Sequence, residues 1–253
     1  MDSYLSFAEV YDLFMDNVPY DLWTEHVVEL LDKYHVPREL VAELGCGTGA
    51  ITRRMQEKGY DMIGIDMSNE MLMIAREAAT DESAMDKKPI LYLEQDMREL
   101  DLFGTVRAMI SICDSMNYII SKEDLKTVFH RVYTFLDPDG VFLFDMNTLY
   151  KYRNLLAENT FAENRDEGSF IWENYYDEET KINEYDLTLY IGNDTGSYSR
   201  YEETHLQRGY EEEEVVSLLQ EAGLTFCESL DADTMGPVTP ETERMYIIAQ
   251  KQK

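Results

Sequence analysis

The stretch Val41-Ala-Glu-Leu-Gly-Cys-Gly-Thr-Gly49 constrains this chain more than any other, because a short apolar run ends there in three alternating glycines and passes straight into a segment of helical period. Such a loop lets a ligand lie on bare backbone. A Cβ would hold the ligand off or forbid the required backbone angles, and the following helix offers unpaired N–H groups at its start. A tight strand-to-helix turn has the same appearance, so the glycines alone name no ligand. The G-x-G-x-G spacing departs from the G-x-G-x-x-G of dinucleotide sites, and Glu43 stands two residues ahead of the first glycine.

Around this loop the chain repeats one rhythm. Apolar runs at Leu40 to Leu44, Met62 to Ile65, Ile90 to Leu93 and Val106 to Ile112 alternate with helical segments, as in a parallel β-α-β-α sheet. Ser68 opens one of these helices. Ser121 to Asp124 opens another, a near capping box, with Leu125, Val128, Phe129, Val132 and Leu136 on one stripe. Asp137-Pro-Asp-Gly140 predicts a turn into a fifth run, Val141 to Phe144, ending in Asp145. Ahead of the sheet, a helix to about Tyr34 presents Leu22, Trp23, His26, Val27, Leu30 and Leu31 as one face, and Pro37 closes it.

From Phe170 to Gln207 the texture changes to β-hairpin, and three antiparallel strands are the simplest expectation. In the middle strand Tyr185, Leu187, Leu189 and Ile191 share one face and Glu184, Asp186 and Thr188 the other, so one side is buried and the other wet. Glu211 to Glu214 then open a helix that Gly223 caps, and two apolar runs, Leu224 to Cys227 and Met245 to Ala249, finish the sheet. The expected fold is α/β, a Rossmann-like doubly wound seven-stranded, mostly parallel sheet. The expected organisation is a helical cap and core over 1–146, an insertion over 147–210, and a closing helix and strands over 211–253.

Charge narrows the partners. The 253 residues carry 22 Lys plus Arg against 51 Asp plus Glu, a net −29, which disfavours nucleic acid and anionic membranes because both demand basic side chains. The N-terminus lacks the pattern of a signal peptide and no run reaches membrane length, so a cytoplasmic location is expected. Cys46, Cys113 and Cys227 lie far apart and read as free thiols, and the four histidines form no metal-ligand pair.

Glu43-Leu-Gly-Cys-Gly-Thr-Gly49, then Asp66 closing Ile63-Gly-Ile-Asp66, then Gln95-Asp-Met97, then Asp114 occur in that order, each after a successive apolar run. This series resembles the ordered motifs of class I S-adenosylmethionine-dependent methyltransferases over about residues 38 to 146. The resemblance implies that Gly45, Gly47 and Gly49, with Glu43 and Cys46 beside them, pass under the methionine moiety of the cofactor. It implies that Asp66, next to Met67, binds the ribose hydroxyls, that Asp96 and Met97 hold the adenine, and that Asp114 lies near the methionine end and the acceptor. Asp66 by its position alone also suits a helix cap before Ser68. Cys113-Asp-Ser-Met-Asn-Tyr118 and the hairpin insertion resemble a bacterial subgroup that includes small-molecule and amino-sugar N-methyltransferases. There an N-terminal helix closes over the cofactor, with Tyr11, Tyr20 and Trp23 as matching positions; an aromatic face attracts a sulfonium, and the apolar face of a helix would use the same residues.

Methyl transfer to a small molecule, monomer or homodimer, is the expectation, with Asp114, Tyr118 and His205 as candidates for acid–base work where the acceptor bears a proton. The acid-rich composition points to an amine or cationic acceptor. The alternatives are an NAD-linked oxidoreductase, which would share Asp66, and a non-catalytic cofactor-binding protein.

Overall fold

The computed structural model describes residues 14, 18–80, 88–166, 168–192 and 196–253. The chain opens with helix α1 (Tyr20–Lys33), followed by β1 (Leu40–Leu44), α2 (Ala50–Glu57), β2 (Asp61–Asp66), α3 (Asn69–Ala78), β3 (Leu91–Glu94) and β4 (Val106–Ser111). It continues with α4 (Lys122–Phe135), β5 (Leu136–Asn147) and the short α5 (Leu149–Lys151), which runs on as a wider helical turn through Leu156. Next come β6 (Thr160–Asn164), β7 (Gly168–Asp177), β8 (Ile182–Gly192) and β9 (Tyr198–Arg208), then α6 (Glu212–Glu221), β10 (Leu224–Asp231) and β11 (Arg244–Lys251).

Seven strands form one sheet in the order β10-β11-β5-β4-β1-β2-β3. The five from β3 to β5 run parallel, while β11 and β10 pair antiparallel at the other edge. The central parallel strands β1, β2 and β4 are buried on both faces, and alternate residues therefore feed two cores. Ala42, Met109, Phe142, Phe144 and Ile247 pack with α4 and α6 on one side. Val41, Ile110, Leu143, Tyr246 and Ile248 pack with α1 and α2 on the other. Strand order reverses between β1 and β4, and the crevice beyond their carboxyl ends is where such sheets bind ligands.

The helix starts follow local chemistry. Ser68 Oγ accepts the Met71 N–H at 3.2 Å and Ser121 Oγ the Asp124 N–H at 3.1 Å. Glu211 and Glu214 form a reciprocal capping box at α6.

Three expectations need correction. The insertion has four strands, ordered β6-β7-β8-β9, because Thr160–Asn164 pairs outside the hairpin texture; its residues are mostly exposed and so lack the alternation that marks a strand. Asp137 to Gly140 is a bulge within β5, since Val106 faces Leu136 and Ala108 faces Val141, with Asp139 at φ 60°. Leu22 is 45% exposed, off the face that Trp23, Val27, Leu30 and Leu31 bury. Among the described residues no helix is long and apolar enough to cross a membrane, and no cluster of three His, Cys, Asp or Glu side chains could hold a metal ion.

Gly64 sits in β2 with Tyr92 pressed against it: an added Cβ would lie 2.6 Å from the ring and 3.0 Å from Cys46 Sγ. Gly64→Ala should therefore destabilise the protein by about 1–3 kcal/mol through overpacking, measured by urea unfolding.

Candidate active site

The glycine loop leaves β1 in a left-handed conformation, with φ of 68° at Gly45 and 53° at Gly47. A Cβ on Gly45 would fall 2.6 Å from Ser115 Oγ, so that glycine serves a close approach within the protein. A Cβ on Gly47 would meet nothing within 4 Å, which leaves open space over the loop. The Gly47 N–H donates to Asp66 Oδ2 at 2.7 Å and the Ser68 N–H to Asp66 Oδ1 at 2.9 Å. Asp66 thus sets the loop and the start of α3 together, and each oxygen keeps a second lone pair for a hydroxyl donor. Burial raises its pKa, opposed by these backbone N–H groups.

Beneath the loop Glu43 is 2% exposed and accepts a hydrogen bond from Thr52. Burial pushes it up to about 8; the Thr52 bond opposes the shift, and the nearby Asp66 charge adds to it. Cys46 is buried, and desolvation raises its thiol well above the ordinary range. Met67, at the end of β2, is 69% exposed. Met97 lies against the loop, its Cε 3.6 Å from where a Gly45 Cβ would stand.

Asp96 departs from its expected setting. Its carboxylate caps the turn Met97–Glu99 through the Arg98 N–H at 2.9 Å and pairs with Arg98 Nε at 2.9 and 3.0 Å; the Arg98 bond holds its pKa down. Tyr20 lies edge-on to Trp23 at 6.2 Å, with the Arg54 guanidinium 5.4 Å over its ring. Tyr11 lies outside the described residues.

The densest chemistry follows β4. Cys113 and Asp114 both adopt left-handed backbone, with φ of 68° and 51°, a strained pair for non-glycine residues. A network holds them there. The Asp114 N–H donates to Asp145 Oδ1 at 2.9 Å, Arg244 Nη2 to Asp114 Oδ1 at 2.6 Å, and Gln207 Nε2 to Asp114 Oδ2 at 2.6 Å. Arg244 also bonds Asp145, which is fully buried, and stacks 4.8 Å over Trp23. Tyr152 Oη donates to Gln207 Oε1 at 3.0 Å. Burial pushes Asp145 up while Arg244 pulls it down.

Next to this network the inner face of the four-stranded sheet closes in. Tyr118 and Tyr185 join through their hydroxyls. His205 stacks on Tyr185 at 4.9 Å and 17°, meets Tyr118 edge-on at 6.0 Å, and sets Nε2 3.1 Å from Glu203. The structure therefore brings Tyr118 and His205 together, and Gln207, two residues beyond His205, reaches Asp114. Sequence reasoning missed Arg244, Gln207 and Tyr185 as members of this site, and noted Asp145 only as the end of a run.

A family model described as a methyltransferase domain matches residues 41–140. YqeM of Bacillus subtilis (strain 168), whose name places it among the methyltransferases, is 34% identical over 251 residues, 99% of this chain and 98% of that one. The crystal structure of an S-adenosylmethionine-dependent methyltransferase from Clostridium acetobutylicum ATCC 824 superposes with a TM-score of 0.87 at 29% identity, covering 99% of both chains. The chain belongs to the class I S-adenosylmethionine-dependent methyltransferases. The sugar N-methyltransferase KedS8 from Streptoalloteichus sp ATCC 53650 shares the fold, with a TM-score of 0.78 at 16% identity over 96% of this chain and 93% of that one.

S-adenosylmethionine is the cofactor of this methyltransferase, and the residues fit it: open space over Gly47, a carboxylate at the end of β2 with lone pairs to spare, and Met97 against the loop. The oxidoreductase and non-catalytic alternatives fall with this assignment.

Two predictions follow from the buried acids. Unfolded Glu43 releases its proton near 4.5 and folded Glu43 near 8, so between these values the folded state binds more protons and rising pH lowers stability. In cofactor-free protein Glu43→Gln should flatten that loss between pH 5 and 8, read from melting temperatures across the range. Arg244→Met leaves Asp114 and Asp145 without their cation and should cost about 3–5 kcal/mol in urea unfolding.

Proposed function

We propose that this methyltransferase transfers its methyl group to an N or O nucleophile of a small molecule held between the carboxyl ends of β4 and β5 and the inner face of the four-stranded sheet. The observation that carries this reading is the closure of that sheet onto Asp114 through Gln207 at 2.6 Å. Trp172, Tyr185 and His205 lie on the same face of that sheet as Gln207 and contact one another across the strands. Among the described residues two buried polar atoms of this sheet, Trp172 Nε1 and Asn183 Oδ1, have no hydrogen-bond partner. The likeness in fold to a sugar N-methyltransferase supports an amine on a small molecule as the acceptor.

The bound cofactor supplies a methyl group already activated by positive sulfur. The protein then has to align the nucleophile in line with that methyl and exclude water, and positioning of this kind removes about 7–11 kcal/mol of barrier in well-oriented systems. Gly45, Gly47 and Asp66 hold the cofactor, with Glu43, Cys46 and Met67 around the loop; Met97 lies on the adenine side, where Asp96 acts by capping the turn. Asp114 positions the crevice instead of acting as its base, because both its oxygens are engaged by Arg244 and Gln207. His205, whose ring lies against Tyr185 and Tyr118 with Nε2 3.1 Å from Glu203, takes the acceptor's proton. Tyr118 and Tyr185 orient the acceptor and His205.

Calorimetric titration should show micromolar binding of S-adenosylmethionine and S-adenosylhomocysteine and none of NADH. Asp66→Ala should weaken that binding more than tenfold, as the loss of a charged hydrogen-bond partner implies; an unchanged dissociation constant would refute the ribose contact. Incubation with amines, amino sugars and hydroxyl compounds should release S-adenosylhomocysteine, and His205→Gln should slow that release about 10²–10⁴-fold with cofactor affinity unchanged. Turnover on RNA or protein alone would overturn the small-molecule reading.

A further inference from the structure

A cation close to Arg244, Asp114 and Asp145 has no part in the chemistry described so far. Lys151 stands on α5, directly after β5, at the end of the sheet that carries Gly45 and Asp114. Its Nζ donates to Asn147 Oδ1 at 3.0 Å. Asn147 is fixed in turn, its N–H donating to Asn117 Oδ1 at 2.9 Å. Among the described residues no carboxylate lies within 4 Å of this ammonium, although acids outnumber bases 51 to 22 in the chain and most of the other described lysines are paired. The charges acting on Lys151 are Arg244, Asp114 and Asp145 of that network and Glu243, next to Arg244 in the chain, with the three carboxylates pulling its pKa up. Desolvation lowers its pKa, and the nearby Arg244 lowers it further.

An ammonium has three donors, and burying them unfilled is costly. One donor here meets an amide oxygen. The others suit an acceptor oxygen brought in by a ligand. We propose that Lys151 is the anion-recognising residue of the acceptor crevice and that the methyl acceptor carries a carboxylate. This rests on the small-molecule reading above and deepens it: an acceptor with both an amine and a carboxylate would set its nitrogen toward His205 and its carboxylate on Lys151. A carboxylate is favoured over a phosphate because Asp114, Asp145 and Glu243 exceed Arg244 and Lys151 by one charge, a field that tolerates a monoanion better than the nearly doubly charged phosphate. The positive sulfonium of the bound cofactor offsets that excess.

The test is competitive acetylation of the wild-type protein with acetic anhydride, read lysine by lysine by peptide mass spectrometry, in matched chloride, formate, acetate and inorganic phosphate solutions. It is run with and without S-adenosylhomocysteine, whose own binding is measured by calorimetry on the same sample. Formate and acetate should slow labelling of Lys151 by about fivefold or more at saturating concentration, with Lys88 and Lys253 unchanged. Equal labelling of Lys151 in all four salts would overturn the proposal, and protection by phosphate alone would overturn the carboxylate assignment. Absence of S-adenosylhomocysteine binding would count against the cofactor placement and leaves the cofactor-free labelling readable by itself. As a second readout, formate should raise the melting temperature of wild type and of Lys151→Arg, and not that of Lys151→Gln; a rise of equal size in all three would overturn the proposal.

Discussion

Arg244 between Asp114 and Asp145 is the interaction on which the site depends. Its two arms reach carboxylates from the β4 loop and from β5, and its face covers Trp23 of α1. Through Asp114 the same network reaches Gln207 of β9 and, through Gln207, Tyr152. One guanidinium thus ties the core sheet, the N-terminal helix and the inserted sheet to a single point. A planar fork of five donors can do this where an ammonium could not. The strained backbone at Cys113 and Asp114 persists because these bonds over-determine it.

The rest of the crevice is organised around charge of the opposite sign. Asp66, Asp114 and Asp145 stand at or near the carboxyl ends of the second, fourth and fifth strands, with burial raising the pKa of Asp66 and Asp145, while Glu43 beneath the loop, pushed up to about 8, is mostly protonated at neutral pH. That arrangement costs stability in the empty protein and favours a cofactor with a positive sulfur. The same low-dielectric surroundings that penalise unpaired carboxylates strengthen their attraction for a cation.

Much of this was legible in the sequence because it lies in local patterns. The glycine loop, the four apolar runs and the caps at Ser68, Ser121 and Glu211 each depend on neighbours a few residues apart. What was not legible depends on long-range contact. Arg244 lies 130 residues from Asp114 and 99 from Asp145, and no spacing rule links them. Gln207 read as the end of a hairpin, since only the register that sets His205 opposite Tyr185 shows which face meets the core. Asp96 ends the third strand's motif, and the bond of its carboxylate to Arg98, two residues away, is one that no reading of the motif had anticipated. The strand β6 was missed because its residues are mostly exposed and show no period.

The inserted sheet shows how acceptor recognition is separated from cofactor binding. The cofactor side is built from loops of the parallel sheet, whose positions follow from strand order and are therefore shared by every chain with this topology. The proposed acceptor side draws on side chains of β7, β8 and β9, where substitution on the inner face changes the wall without disturbing the ladder hydrogen bonds. Across adjacent strands Trp172 meets Tyr185 edge-on and Tyr185 stacks on His205, whereas Asn183 Nδ2 donates to Asn174 Oδ1 at 3.0 Å. Aromatic rings supply area, and the Asn183 amide N–H donated to Asn174 Oδ1 ties β8 to β7. Since Gln207 joins this wall to Asp114, the proposed acceptor site and the cofactor pocket share one network, and on that reading the inserted sheet controls alignment as well as selectivity.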